Sequence, residues 1–118
     1  MLHLMKLNSE PFLKIADGTK TIELRLNDEK RRLIKVGDFI EFTNVANSEE
    51  KIQVKVVNLH HFRSFEELYN VLPLDKCGYS TQELNTATHT DMEEYYTKEE
   101  QAKYGVLGIE IVLIESKS

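Results

Sequence analysis

Hydrophobic residues alternate with polar ones in four segments of the chain and form a nearly continuous run in a fifth. Alternation is typical of strands with one buried face. A continuous run, interrupted here by Glu110, is typical of a central strand that is covered on both faces. The pattern therefore predicts five strands, over residues 2–7, 21–26, 39–42, 52–60 and 106–114.

Short helices are predicted between these strands. Asn8 or Ser9 can cap a first helix, which Gly18 ends. Capping-box patterns that start at Ser64 and Thr97 predict two further helices. Since strands and short helices follow one another without repeated βαβ spacing, the predicted fold class is α+β, a mixed β-barrel in a single domain that spans the whole chain.

Composition places the chain among compact globular proteins. Hydrophobic residues make up 41% and charged residues 30%, which excludes a disordered chain and a membrane protein. The single cysteine, Cys77, provides neither a disulfide framework nor a thiolate cluster for zinc. Because no targeting signal is visible and no apolar run is long enough to span a membrane, we expect a cytoplasmic protein without membrane contact.

The charge distribution is uneven along the chain. A net charge of −5 argues against a protein that coats nucleic acid without sequence preference, because such binding depends on many cationic contacts to phosphate. Bases nevertheless outnumber acids over residues 14–35, and acids outnumber bases over residues 75–101. This asymmetry is consistent either with one anion-attracting face or with two ordinary solvated faces.

The motif Gly-x-Lys-x-x-Glu-x-Arg, over residues 18–25, is the strongest candidate for a functional site. Strand alternation puts Thr21, Glu23 and Arg25 on one face, with Lys20 at the strand entrance. Lysine can hold a phosphate or carbonyl oxygen, and arginine can bind phosphate through two parallel hydrogen bonds or stack on a base. Lys20 as a general base that exchanges protons with Glu23 or with a downstream acid is the catalytic alternative. A half-exposed strand with a surface ion pair is the purely structural one.

Three other groups of residues offer weaker candidates. Residues 91–94 could supply a distant carboxylate, and Tyr96 or Tyr95 could stack on a base, although core packing explains the tyrosines as well. Residues 30–32, a basic triplet, could steer a phosphate backbone or simply be solvated.

No metal site or cofactor is predicted. The adjacent histidines His60 and His61 would point to opposite faces of a strand and could not bind one metal ion together. Cys77 has no nearby histidine pattern and is assigned no role.

Nearly the whole chain resembles the ASCH domain, a small β-barrel family related to the PUA domains of RNA-binding and RNA-modifying proteins. The order of several motifs carries the resemblance: the Gly-x-Lys-x-x-Glu-x-Arg string, a Gly-Asp turn leading into a strand, a Ser-Phe-Glu-Glu-Leu helix start, a Tyr-Tyr pair and a final Tyr-Gly-Val-Leu-Gly-Ile strand. They occupy residues 18–25, 34–42, 64–68, 95–96 and 104–109.

The resemblance implies a PUA-like mixed barrel of five to six strands, with short helices at its ends and a cleft lined by Lys20, Glu23 and Arg25. It implies RNA or a nucleotide as the ligand. Some small ASCH proteins are amidohydrolases that remove acyl groups from N4-acetylcytidine with a lysine, a threonine three positions later and a downstream glutamate. Lys20 matches that lysine, but Glu23 stands in the threonine position, and Thr21 is a poor substitute.

Three functional hypotheses follow. The first is a domain that binds RNA, a nucleoside or a nucleotide through Lys20, Thr21, Glu23, Arg25 and Tyr96. The second is an amidohydrolase acting on N4-acetylcytidine or a related nucleoside, with Lys20 and Glu23 as catalytic residues. The third is a protein-interaction module in which the same cleft binds a peptide or a translation factor.

Overall fold

One five-stranded sheet is the framework of the computed structural model, which describes residues 1–114. The strands follow the order β1-β3-β4-β5-β2; β1 and β3 are parallel, and the other neighbours are antiparallel. The sheet curls into a half-barrel, so the predicted α+β mixed barrel is confirmed with five strands. The strands are β1 (Leu2–Leu7), β2 (Ile22–Leu26), β3 (Phe39–Asn44), β4 (Asn47–Phe62) and β5 (Val106–Leu113). The last four residues of the predicted 1–118 domain lie outside the described residues.

Short helices connect the strands. Thr97 and Glu100 form a complete capping box, in which each side chain bonds the backbone N–H of the other residue. The Ser64 hydroxyl accepts from the N–H of Glu67 at 3.2 Å and caps the start of the helix over Phe65–Val71. The α-helices are α1 (Ser9–Ala16), α2 (Phe65–Val71) and α3 (Lys98–Tyr104), and the 3₁₀ helices cover Arg31–Leu33, Glu83–Asn85 and His89–Glu94.

Two hydrophobic clusters cover the two faces of the sheet. The cluster inside the half-barrel includes Ile109 of β5, and the cluster under helix α2 includes Phe65 and Leu68. Strand β2 contributes Ile22, Leu24 and Leu26 to the α2 side. Because strand side chains alternate, Glu23 and Arg25 point to the inside, where Glu23 stands opposite Ile109.

Strand β4 is longer than the pattern of hydrophobic residues predicts. It starts at Asn47, ahead of the predicted residue 52, and Lys51 still pairs with Thr43 of β3. Its first residues are exposed on both faces, so no alternation marks them as a strand in the sequence. Strand β5 lies between β4 and β2, as predicted for a central strand.

The half-barrel is open between its two edge strands, β1 and β2. The guanidinium of Arg25 bridges this opening, since its Nη2 donates to the carbonyl oxygen of Lys6 at 2.9 Å. The motif of residues 18–25 therefore lies at the seam where the sheet does not close.

The helices of the described part of the chain are short. None of those within residues 1–114 is long and apolar enough to cross a membrane.

Replacing Gly105 tests the junction between α3 and β5. Gly105 has φ 74° and ψ −178°, a conformation that is essentially restricted to glycine, and an added Cβ would lie 3.0 Å from the carbonyl oxygen of Phe62. We expect Gly105→Ala to lower the free energy of unfolding by about 1–3 kcal/mol. Urea denaturation followed by circular dichroism measures it.

Gly18→Ala is the matched control. Gly18 also has a positive φ, of 85°, but an added Cβ would meet no atom within 4 Å. The backbone strain alone should then cost roughly 1 kcal/mol. Equal losses for the two variants would show that the contact with Phe62 is unimportant.

Candidate ligand-binding site

Three charged side chains of the motif meet around one buried carboxylate. Glu23 on β2 is 4% exposed. Its Oε1 lies 2.8 Å from the Lys20 ammonium, and its Oε2 lies 2.7 Å from Nε of Arg25. Each carboxylate oxygen thus has its own cation, and we call these three residues the ion triad.

Arg25 is held by several groups at once. Its Nε bonds Glu23, its Nη2 bonds the Lys6 carbonyl across the seam, and the Tyr96 hydroxyl lies beside it. The side chain is 12% exposed. Arg25 therefore ties the triad to strand β1 and has less freedom to bind a ligand than the sequence suggests.

The triad keeps Glu23 ionised despite its burial. Burial by itself would raise the pKa of the Glu23 carboxyl, but the charges and hydrogen bonds of Lys20 and Arg25 outweigh burial and hold the pKa below its usual value. Burial alone would lower the pKa of Arg25, and the Glu23 carboxylate raises it instead. Both groups are therefore charged at neutral pH.

Lys20 reaches Glu23 past a glycine. Gly78 has φ 109°, and a Cβ at this position would lie 3.2 Å from Cδ of Lys20. The neighbouring Cys77 is buried, and burial raises the pKa of its thiol to about 12. The thiol is thus protonated at neutral pH and unsuited to act as a nucleophile.

A pocket of about 410 Å³ opens over the triad. This volume falls within the roughly 300–1,000 Å³ range of small-molecule sites. The wall contains both charged and aromatic side chains. Its principal members are Lys6, Glu10, Lys14, Lys20, Glu23, Arg25, Tyr69, Cys77, Gly78, Tyr79, Glu83, Met92, Tyr95 and Tyr96.

One side of the pocket is formed by residues 77–96, which we call the covering segment. Lys14 of helix α1 holds this segment in place, because its ammonium donates to the Gly78 carbonyl at 2.6 Å and contacts Glu83 at 3.3 Å. The same ammonium lies 3.2 Å from Glu10, one turn earlier in α1. Lys14 is therefore an ionic latch between α1 and the covering segment.

Comparison with known proteins identifies the family. The family model described as "ASCH domain" matches residues 5–115. The chain belongs to the ASCH domain family. No curated protein matches it.

Solved structures share the fold of this chain. Hypothetical protein PH0355 is 34% identical with a TM-score of 0.79, over 97% of this chain and all of that one. Protein PF0455 from Pyrococcus furiosus is 33% identical with a TM-score of 0.71, over 98% of this chain and all of that one. A mutant of ZmASCH from Zymomonas mobilis is 14% identical with a TM-score of 0.65, over 97% of this chain and 68% of that one. The ZmASCH likeness concerns the fold alone, and it confirms the predicted PUA-like architecture.

The ASCH domain brings together four of the five residues that the sequence proposed for ligand binding. Lys20, Glu23, Arg25 and Tyr96 all line the pocket. Thr21 does not: its N–H donates to the Lys76 carbonyl and its own carbonyl accepts from the N–H of Ile111, so its backbone anchors the start of β2. The functional role of each residue stays a prediction.

Both interpretations of Tyr96 have structural support. Its ring stacks on Phe65 with centroids 5.8 Å apart, as expected of a core residue, and it also faces the pocket beside Arg25. Tyr95 lines the pocket too but is 61% exposed.

The basic triplet of residues 30–32 is partly engaged within the protein. Arg31 donates to the Asp28 carboxylate at 2.9 Å, and Arg32 donates to the Asn27 carbonyl at 2.9 Å. The guanidinium of Arg32 also lies 5.9 Å from the ring centroid of Tyr104. These contacts are those of a structural turn.

Sequence reasoning missed several residues of the pocket wall. Lys14, Tyr69 and Tyr79 carry no local signal, because they reach the pocket only through the tertiary fold. Glu83 belongs to the acidic stretch noted in the sequence, and its place in the wall comes from the latch with Lys14. Within residues 1–114, no three His, Cys, Asp or Glu side chains are grouped to hold a metal ion.

Removing the charge of Glu23 tests the ion triad. Glu23→Gln leaves two largely buried cations without their anion, and loss of one partner of a buried pair costs about 3–5 kcal/mol. We expect a loss of this size in the free energy of unfolding, measured by urea denaturation at pH 7. Glu110→Gln is the control, since Glu110 is half-exposed beside His60 and should cost at most about 1 kcal/mol.

The effect should depend on pH in one direction. The pKa of Glu23 is lower in the folded protein than its ordinary value of 4.5, so its contribution is complete above that value and declines as the pH falls below it. The difference between Glu23→Gln and the unmodified domain should therefore shrink in acid. A stability difference between the two proteins that grows below pH 4.5 would contradict the ion triad.

The latch is tested through the single thiol. Lys14→Met removes the hydrogen bond to Gly78. Because such a bond stabilises the closed position of the covering segment by about 1 kcal/mol, its loss should make opening roughly fivefold more frequent. We expect a thiol reagent to label Cys77 faster by at least about this factor. Lys98→Met is the control, because Lys98 is 84% exposed and lies 3.9 Å from Glu93. Unchanged labelling of Lys14→Met would show that the latch does not control access.

Proposed function

We propose that this ASCH domain binds RNA, a nucleoside or a nucleotide in the pocket above the ion triad. The principal support is the position of Lys20, which is buried at the base of an open pocket and fixed by Glu23. An ammonium has three donors. Within residues 1–114 Glu23 is the acceptor that it contacts, which leaves two donors for a phosphate or carbonyl oxygen of a ligand.

Aromatic side chains add a second element of nucleotide recognition. Tyr69, Tyr79 and Tyr96 lie in the pocket wall, together with Met92. Stacking of a base on an aromatic ring contributes about 1–3 kcal/mol and suits any base. A pocket with fixed cationic donors and aromatic rings is thus matched to a ligand that has both polar edges and a flat face.

The balance of charge in the wall favours a single nucleotide unit over an extended polyanion. The cations Lys6, Lys14, Lys20 and Arg25 are interspersed with the acids Glu10, Glu23 and Glu83. Nonspecific binding to nucleic acid is driven by counterions that many cationic contacts release from the phosphates. Because the wall has nearly as many acids as bases and the net charge is −5, this driving force is small here. We therefore propose recognition of one nucleotide, either free or unpaired within an RNA, by a protein located in the cytoplasm.

Amide hydrolysis is the alternative chemistry for the same residues. It would require Lys20 or Glu23 to accept a proton, yet both oxygens of Glu23 are occupied by cations and the pKa of Glu23 is depressed. The geometry is therefore better suited to binding than to general-base catalysis.

A protein-interaction role would place a peptide in the same pocket.

Replacing Lys20 tests the proposal. We expect Lys20→Gln to weaken binding at least tenfold, because a charged hydrogen bond to a ligand is worth roughly 1.5–3 kcal/mol. Amide-resolved NMR titration of the labelled domain with short single-stranded RNAs and nucleosides, including N4-acetylcytidine, measures the affinity and locates the shifts. Lys55→Gln is the control, because Lys55 is exposed on β4 and lies outside the pocket wall.

The same titration distinguishes the alternatives. Shifts that cluster on residues 19–25 and on the covering segment support nucleotide binding. New product signals that disappear in Lys20→Gln would favour the hydrolase. An absence of shifts with every RNA and nucleoside at physiological salt would overturn the proposal in favour of a protein partner.

A further inference from the structure

Two tyrosines of the pocket wall form a hydrogen-bonded chain with an aspartate, separate from the ion triad. The hydroxyl of Tyr69, on α2, lies 2.6 Å from that of Tyr79, in the covering segment. The Tyr79 hydroxyl donates to Oδ2 of Asp91 at 2.8 Å. Both tyrosines line the pocket, with their rings packed edge to face.

The carboxylate fixes the direction of every proton in this chain. A tyrosine hydroxyl has one proton to donate, and an ionised carboxylate can only accept. Tyr79 gives its proton to Asp91, whose Oδ2 also accepts from the N–H of Thr88 at 3.3 Å. The short contact between the two hydroxyls therefore requires Tyr69 to donate to Tyr79.

Both hydroxyls keep their protons at physiological pH. Burial raises the pKa of Tyr69 to about 12, and burial together with the hydrogen bonds to Tyr69 and Asp91 also raises the pKa of Tyr79. The order of donors and acceptors is thus stable, and the Tyr69 oxygen has lone pairs but no proton available for the pocket.

We propose that Tyr69 is a specificity-determining residue that selects ligands carrying an N–H or O–H donor. The inference rests on the proposed function, since it concerns which nucleotides the pocket prefers. A ligand that presents a carbonyl oxygen to Tyr69 would place two acceptors against each other, whereas an amino group forms a hydrogen bond. Lys20, which is a donor only, imposes the opposite requirement on another part of the ligand.

The combined requirement describes a ligand class. One edge must carry an acceptor, such as a phosphate or ring carbonyl oxygen, for Lys20. Another edge must carry a donor for Tyr69. All ribonucleotides have donors in their ribose hydroxyls, and uracil and hypoxanthine have a ring N–H, so the selection concerns the exocyclic position. An amino group there donates to Tyr69, whereas a carbonyl oxygen there opposes its lone pairs.

Two matched pairs of ribonucleoside 5′-monophosphates test the preference. In the cytidine and uridine compounds, and in the adenosine and inosine compounds, an exocyclic amino group is replaced by a carbonyl oxygen and the adjacent ring nitrogen gains a proton. Isothermal titration calorimetry measures the dissociation constant of each with the domain of residues 1–118. We expect the amino member of at least one pair to bind about tenfold more tightly than its keto partner.

Variants connect that preference to the hydrogen-bonded chain. Tyr69→Phe removes the acceptor and should bring the affinities within a pair to within about twofold. Tyr79→Phe removes the acceptor of the Tyr69 proton, so the Tyr69 hydroxyl becomes free to donate and the preference should fall or reverse. Tyr104→Phe is the control, because Tyr104 is not part of the pocket wall and its ring lies near the cations of Arg32 and Lys103.

The outcomes separate the two proposals. Nucleotide binding without an amino preference, or a preference that persists in both Tyr69→Phe and Tyr79→Phe, would overturn the role of Tyr69 and leave the proposed function intact. Failure of all four nucleotides, and of RNA, to bind would overturn both.

Discussion

The buried carboxylate of Glu23 is the constraint on which the geometry of the pocket depends. An ionised carboxylate loses its hydration on burial and is tolerated only where cations and hydrogen bonds replace it. Lys20 and Arg25 fulfil this requirement from the same segment, one on each oxygen. Their positions then shape their surroundings: Gly78 leaves room beside the Lys20 side chain, and the Lys6 carbonyl accepts from Arg25 across the open seam. The triad therefore fixes both the base of the pocket and the spacing of the two edge strands.

This arrangement divides the motif into different roles. The Nε and Nη2 of Arg25 are engaged by Glu23 and by the backbone of β1, so Arg25 acts mainly as a positioning residue. Lys20 shares the carboxylate but keeps donors for a ligand. From the sequence alone, Arg25 could bind phosphate with two hydrogen bonds or stack on a base. The open edge of the half-barrel changes this, since an unpaired carbonyl at an edge strand is a strong local acceptor.

Local patterns could predict the strands and the triad but not the rest of the pocket wall. Lys20, Glu23 and Arg25 lie within one short segment, so strand alternation is enough to bring Glu23 and Arg25 together. Lys14 meets Gly78 and Glu83 across sequence separations of 64 and 69 residues, which no local pattern encodes. The start of β4 was missed for a related reason: Asn47 and the residues after it are exposed on both faces and are held in the strand by backbone pairing with β3. For Thr21 the local pattern was misleading. Strand alternation placed it beside Glu23, whereas β2 starts at Ile22 and the Thr21 N–H donates to the Lys76 carbonyl.

The two polar systems of the pocket differ in what they can offer to chemistry. In the triad, the depressed pKa of Glu23 and its two cations leave little tendency to accept a proton. In the tyrosine chain, raised pKa values keep both hydroxyls protonated. Cys77, which also lines the pocket, is likewise a neutral thiol. Groups that hold fixed protonation states near pH 7 are poor acids and bases but good recognition elements, since their donors and acceptors do not change with small shifts in pH. Catalysis here would first require the Lys20–Glu23 contact to separate, and binding requires no such rearrangement.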